Sequence, residues 1–331
     1  MEALGKATLW WLSWSARRQL TMLVELPVYA AGVDGVGWRP QPHRSLVLIC
    51  EGGFHASYLI SSWLRRLPGA SVLIRDDPDR TPEYEKRWSA HRTHAGRPAT
   101  SRVVAHLDEV YCGMSRTELE MAKTYGIPEL PARMPADVQL VGADLNSNDC
   151  RQWLVNTVSE SDPAIFVFLD QLLHDWWISL ARGQIINAHS AVLPHARGMF
   201  AIEQVAASQD FSRFVRAAGA TAHYVDNGVD TGPVILARRL AAPFSHESIW
   251  SCKGQSFLTA FDLILQLAES LRDDPESLPV GHRLDARDAP VFSRREFTPS
   301  VRAAAEQGFL AMKSRDAMSS ANASASVAQS R

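Results

Sequence analysis

Ala164-Ile165-Phe166-Val167-Phe168-Leu169, followed by Gln171 to Leu180 and then by Ile185-Ile186-Asn187, reads as strand, helix, strand. The outer segments are short, apolar and rich in β-branched and aromatic residues, as strands covered on both faces are. A helical link between two such strands makes them parallel neighbours. Working outward toward the N-terminus, Ser45 to Cys50 and Ala70 to Ile74 are further apolar strands. A helix runs between them from about Ala56 to Leu67, after the turn Glu51-Gly52-Gly53-Phe54-His55. Helices are predicted over 115–125, ended by Gly126-Ile127-Pro128, and over Asp149 to Glu160, with a strand at Val138 to Val141. The polar, charged stretch 75–102 suits a solvated helix or an active-site flap.

Toward the C-terminus, a helix is expected from Ala201 to Ala207 and strands at Thr221 to Val225 and Pro233 to Leu236. The longest helical pattern then spans Glu247 to Leu271. This alternation predicts an α/β fold, a doubly wound and mostly parallel sheet whose sites lie beyond the carboxyl ends of the strands. The expected organisation is a Trp-rich helical extension at 1–44, a main domain at 45–275, a segment packed on it at 276–315, and a disordered Ala/Ser-rich tail at 316–331. Trp10, Trp11 and Trp14 share one side of the first helix. They suit packing on the body of the protein or on a second copy in a homo-oligomer, with a membrane surface as the alternative.

Composition narrows the function. The 331 residues carry 34 Lys and Arg against 36 Asp and Glu, and no segment is basic enough for a nucleic-acid footprint. Cys50, Cys112, Cys150 and Cys252 have no paired spacing, which fits reduced thiols in a cytoplasmic protein. No apolar run is long enough for a membrane span. His91 and His94 could share a helix face as metal ligands but have no acidic or Cys partner at a recognisable distance, so no metal is expected.

Asn187 and His189, two apart on an extended segment, leave the same face of a strand end. A buried Asn–His pair with no catalytic role has the same pattern. A second stretch, Gly219 to Ile235, reads as strand, Gly- and Asp-rich loop, and strand, with Asp230 at the loop tip. Loop Asp residues are commonly turn-formers.

Together the two stretches resemble the folate-dependent formyltransferases, the family of glycinamide ribonucleotide, methionyl-tRNA and sugar N-formyltransferases. The resemblance rests on Asn187-x-His189, Leu193-Pro194, Gly198, Thr221-x-His223 and Asp226-x-Gly228-x-Asp230-Thr231-Gly232-Pro233. It extends from about Ser45 to Leu271. Departures from the family pattern are Ser190-Ala191 in place of Pro-Ser, Gln171 in place of an Arg, and Phe168 in place of a Gly.

The resemblance implies a Rossmann-like fold and transfer of a formyl group from 10-formyltetrahydrofolate to the amine of a small molecule. Asn187 would stabilise the tetrahedral oxyanion, His189 would move the proton, and Asp230 would hold the imidazolium. Leu172, Leu173, Val225, Asp226, Gly228, Val229 and Asp230 would contact the folate. Gly53, Phe54, His55, Arg197 and Gly198 are expected near the acceptor. Glu51-Gly52-Gly53 lacks the phosphate-binding turn of the purine enzymes, and Glu51 would repel an anion there. The sixty residues after Leu271 are short for the basic domain of the tRNA enzymes. An amino sugar or a specialised-metabolite amine is left as acceptor. Two alternatives stand beside transfer. One is a 10-formyltetrahydrofolate hydrolase, whose known form carries a longer N-terminal domain; the other is a non-catalytic folate-binding protein.

Overall fold

Period-two burial makes the sheet a wall between two cores. In β1 (Leu46–Glu51), Leu46, Leu48 and Cys50 face one apolar cluster while Val47 and Ile49 face another. The computed structural model describes residues 44–285 and 289–329, with side chains as far as residue 319. The Trp-rich segment therefore lies outside the described residues, and with it the expected oligomer contact.

The expected doubly wound, mostly parallel sheet is present. β1, β2 (Ser71–Arg75), β3 (Val138–Leu140), β4 (Ala164–Phe168) and β5 (Ile185–His189) run parallel in the order β3-β2-β1-β4-β5. β7 (Gly219–Tyr224) and β8 (Val234–Arg239) extend the sheet antiparallel beyond β5. The chain winds outward through β2 and β3 and then returns to the other side of β1. This reversal opens a crevice between the carboxyl ends of β1 and β4.

Helices α1 (Ala56–Arg66), α2 (Thr81–His94), α3 (Ser101–Val110), α4 (Arg116–Tyr125), α5 (Asn148–Glu160), α6 (Asp175–Leu180), α7 (Ala201–Ala207) and α8 (Phe211–Ala217) precede the long α9 (Ile249–Asp273). Ser248 and Ser251 close a capping box at the start of α9. Phe261, Ile264 and Leu265 of α9 join the core under the sheet, and Ile249, Trp250 and Cys252 join a separate cluster beneath α7. All four cysteines are free thiols. No helix among the described residues is long and apolar enough to cross a membrane.

Three segments differ from the sequence-based expectation. The charged stretch 75–102 folds into α2 and the start of α3, and α2 buries Tyr84, Arg87, Trp88 and His91, so its inner face is part of the body. Residues 171–174 form a loop rather than the start of α6. Asn146 pins it by donating to the Leu172 carbonyl and accepting from the His174 N–H. The segment expected to be a disordered tail from 316 is helical as far as Gln329, the end of α10 (Pro299–Gln329), consistent with the high helix propensity of Ala. A short parallel bridge between β6 (Arg197–Gly198) and β9 (Val291–Phe292) also ties the C-terminal segment to the domain.

α10 lies on α7 through Ala305, Phe309 and Met312, spaced for one helix face, which share a cluster with Ile202 and Val205. Gly308 permits this approach, since a Cβ there would come within 2.0 Å of the Ala206 carbonyl oxygen. Backbone cannot yield as a side chain can. Gly308→Ala is therefore expected to destabilise the fold by about 1–3 kcal/mol through overpacking, although Ala is the better helix former. A urea midpoint that rises instead would contradict the contact.

Candidate active site

The antiparallel pairing of β5 with β7 sets Asn187 opposite His223 and His189 opposite Thr221. Thr221 braces the chain beyond β5 by accepting from the Leu193 N–H and donating to the Ala191 carbonyl, both at 3.0 Å. The loop between β7 and β8 then folds back and delivers Asp230 to this strand end. Asp226 shapes the loop, accepting from the Thr231 hydroxyl at 2.5 Å and from the Gly228 N–H at 3.2 Å. Gly228 has no room for a Cβ, which would sit 2.0 Å from the Thr231 hydroxyl oxygen.

Asp230 adopts the left-handed conformation at φ 50°. Its Oδ2 accepts from the Gly198 N–H at 2.7 Å and lies 3.4 Å from His189 Nδ1. Its Oδ1 lies 3.4 Å from His223 Nε2. Asn187, His189 and Asp230 are thus brought together with His223 and the Gly198 backbone. Burial alone would raise the Asp230 carboxyl, but His189, His223 and the Gly198 N–H outweigh it and hold the acid well below the usual carboxylate range. Burial lowers His189, and Lys253 and His223 add to that, against the opposing pull of Asp230. At neutral pH the site therefore holds an ionised Asp230 beside a neutral His189.

The hydrogen bonds select the tautomers. His189 Nε2 lies 3.1 Å from the Ala196 carbonyl, which can only accept, so Nε2 carries the proton and Nδ1 is the basic atom beside Asp230. His223 Nδ1 faces the Tyr224 carbonyl at 2.8 Å and is protonated in the same way. Its Nε2 accepts from Asn187 Nδ2 at 3.1 Å. That bond fixes the Asn187 amide and leaves its second N–H for another acceptor. A site of this kind can offer a donor to a developing oxyanion, a base, and a carboxylate that stabilises the base once it is protonated.

The remaining sequence candidates are distributed around this point. Leu173 and Val225 pack against the same apolar cluster as Leu169, while Leu172 is 65% exposed at the neighbouring rim. Val229 lies in the Asp230 loop. Gly198 serves the site through its backbone, at φ 83°, where a Cβ would meet the Phe292 carbonyl. Arg197 is drawn to the C-terminal segment and donates to the Ala289 carbonyl. Gly53, Phe54 and His55 line a cavity of about 490 Å³ in the crevice beside β1. Phe54 belongs to the core there, and His55 pairs with Glu118 at 2.8 Å and stacks on Phe257.

Sequence reasoning did not single out His223 as a site residue, although Thr221-x-His223 was among the motifs that carry the resemblance; the β5–β7 register sets it opposite Asn187. It also missed the buried Lys253, which donates to the Ser190 hydroxyl at 2.8 Å and lies 3.3 Å from buried Glu203. Only the departure at Ser190 could have signalled that group. Among the described residues, no set of three or more His, Cys, Asp or Glu is placed to hold a metal ion. His91 bonds the Pro128 carbonyl and the Tyr111 hydroxyl, and His94 bonds His106.

These shifts give a pH dependence to stability. Both folded values are depressed, so both contributions are complete above the unfolded values and decline as pH falls. The His189 contribution should begin to decline below about pH 6.5 and the Asp230 contribution below about pH 3.9. Buried His91 is lowered as well, to about 4, and His94, His195 and His246 are shifted the same way, so in urea unfolding at stepped pH, His189→Gln is expected to make the upper decline shallower without removing it. An unchanged upper decline would contradict a buried neutral His189.

The sequence match to a known family concerns the middle of the chain. Residues 123–248 match the family model described as formyl transferase. A phosphoribosylglycinamide formyltransferase of Bacillus subtilis (strain 168) is 39% identical over 70 residues, 21% of this chain and 33% of that relative, so the match spans about a third of the relative's length. Among solved structures, a 4-N formyltransferase from Francisella tularensis aligns at TM-score 0.46 and 11% identity over 79% of this chain and 86% of that one. A phosphoribosylglycinamide formyltransferase from Streptococcus pneumoniae TIGR4 aligns at TM-score 0.40 and 16% identity over 70% of this chain and 99% of that one. Residues 123–248 are thus similar to the formyl transferase family.

Proposed function

We propose that the protein is an N-formyltransferase that moves the formyl group of 10-formyltetrahydrofolate to the amine of a small-molecule acceptor. The observation that carries this reading is the convergence of Asn187, His189 and Asp230 at one strand end, with Asp230 fixed by the Gly198 N–H. Attack of the amine on the formyl carbon forms a tetrahedral oxyanion, and the free N–H of Asn187 donates to it. His189 Nδ1 takes the proton from the attacking amine and returns it to the departing folate nitrogen. Asp230 stabilises the imidazolium in between.

Leu172, Leu173 and Val225 offer an apolar wall to the folate ring system, and the Asp226–Asp230 loop offers backbone polar groups beside it. An amino sugar or a specialised-metabolite amine remains the favoured acceptor class, because the turn after β1 lacks the phosphate-binding sequence of the purine enzymes.

The test is a panel of amines incubated with the full chain and 10-formyltetrahydrofolate, with mass-spectrometric detection of a formylated product. One amine class should accelerate consumption of the folate. Asn187→Ala should lower kcat by about 10²–10³-fold, the usual cost of losing one oxyanion donor, and His189→Ala and Asp230→Ala should nearly abolish turnover. The acidic limb of kcat/KM should fall below about pH 6.5 because the base is a depressed histidine. Consumption at full rate without any amine would mean hydrolysis. No folate binding at all would end the transferase reading.

A further inference from the structure

The cavity beside β1 holds a cation with no carboxylate partner among the described residues. Its lining includes four carboxylates, and each is already engaged. Glu51 accepts from Arg75 at 2.9 Å and from the Asp170 N–H at 3.0 Å. Asp170 takes Arg75 at 2.7 Å and Arg294 as well. Asp76 takes Arg80 at 2.7 Å and the Tyr84 hydroxyl at 2.8 Å. Glu118 takes the His55 ring and backbone N–H and the Ser115 N–H. Arg75 and Arg80 are neutralised by the same contacts.

Arg87 is different. It is only 6% exposed, lines the cavity, and has no carboxylate partner among the described residues. Nη1 donates to the Gly52 carbonyl at 3.0 Å, and the guanidinium lies 4.5 Å from the Tyr84 ring centroid and 4.9 Å from that of Tyr111. Nε is buried without a hydrogen-bond partner. A guanidinium cannot shed its proton, so a buried one calls for an anion. The two tyrosine rings and the Gly52 carbonyl hold the guanidinium in place, a preorganised arrangement for an oxyanion.

We propose that Arg87 binds a compact oxyanion, a carboxylate or a phosphate, carried by the acceptor. This names the acceptor's class and in that respect rests on the formyl-transfer reading. The cavity of about 490 Å³ has the size of a small-molecule site and opens at the strand reversal, one strand away from β5. The N-terminus of α1 is not the anion site, since Glu118 takes the His55 N–H at its N-cap and the Ala56, Ser57 and Tyr58 N–H groups bond to the Gly53, Phe54 and His55 carbonyls. The objection that Glu51 repels an anion is met by Arg75, which sits on that carboxylate. Arg87 comes from the charged stretch after β2, so the anion is read by a segment outside the residues that match the family and not by the turn after β1.

The test needs neither folate nor turnover, so its failure is separate from failure of the transferase reading. Inorganic phosphate and acetate are titrated separately into the full chain, with chloride matched for ionic strength. Binding is followed by calorimetry and by the ¹⁵N–¹H resonance of Arg87 Nε, assigned by its loss in Arg87→Lys. At least one oxyanion should saturate a single site and shift that resonance. Preference for phosphate would specify a phosphorylated amine, and preference for acetate a carboxylated one. Arg87→Met should weaken binding about tenfold or more, Arg87→Lys less, and Lys123→Ala, on the exposed side of α4, not at all. Should Arg87→Met fail to fold, the wild-type resonance and Arg87→Lys decide alone. Neither anion binding better than chloride, an unmoved resonance, or a folded Arg87→Met that binds like the wild type would overturn the proposal.

Discussion

A carboxylate removed from water must be met by donors or by cations, and at Asp230 that requirement joins two loops that lie apart in the chain. Its Oδ2 takes the Gly198 N–H and neighbours His189, while Oδ1 neighbours His223. The loop after β5 and the loop after β7 must therefore close on each other. Gly198 can answer only because it has no Cβ to strike the Phe292 carbonyl. Asp226 and Thr231 stiffen the Asp230 loop from within. The ionised acid, the neutral imidazole and the oriented amide follow from this one closure.

The rest of the molecule supports that point from two sides. β7 runs antiparallel to β5 and so faces Asn187 with His223, which fixes the amide. Lys253 reaches from α9 to Ser190, the residue after His189, and its charge is met by Glu203 of α7. Across β4, the reversal of strand order opens the cavity where Arg75 and Arg80 are ion-paired and Arg87 has no carboxylate partner among the described residues.

Much of this was legible in the sequence where local pattern and burial agree. Apolar runs such as Leu46 to Cys50 and Ala164 to Phe168 can only be covered strands, and the α9 pattern is long enough to be unambiguous. Strand and loop pattern left Asn187, His189 and Asp230 open to structural roles, and it was the resemblance carried by their motifs that singled them out. Other features depend on contacts between distant segments. α10 is specified partly by Gly308 meeting the Ala206 backbone, and nothing near Gly308 announces that. The polar composition of α2 hid an inner face formed by Tyr84, Arg87 and Trp88. Glu51 looked hostile to an anion because its partner Arg75 lies on the next strand, a pairing that only the fold reveals.

The most direct measurement of the central claim is the fate of the formyl carbon. With the full chain, an amine mixture and 10-formyltetrahydrofolate carrying ¹³C in the formyl group, the ¹³C spectrum reports where that carbon goes. Formyl transfer through Asn187, His189 and Asp230 requires the label to appear as a formamide, at a rate that depends on the amine and collapses in Asp230→Ala. Label that appears only as free formate, at the same rate with and without amine, would contradict it.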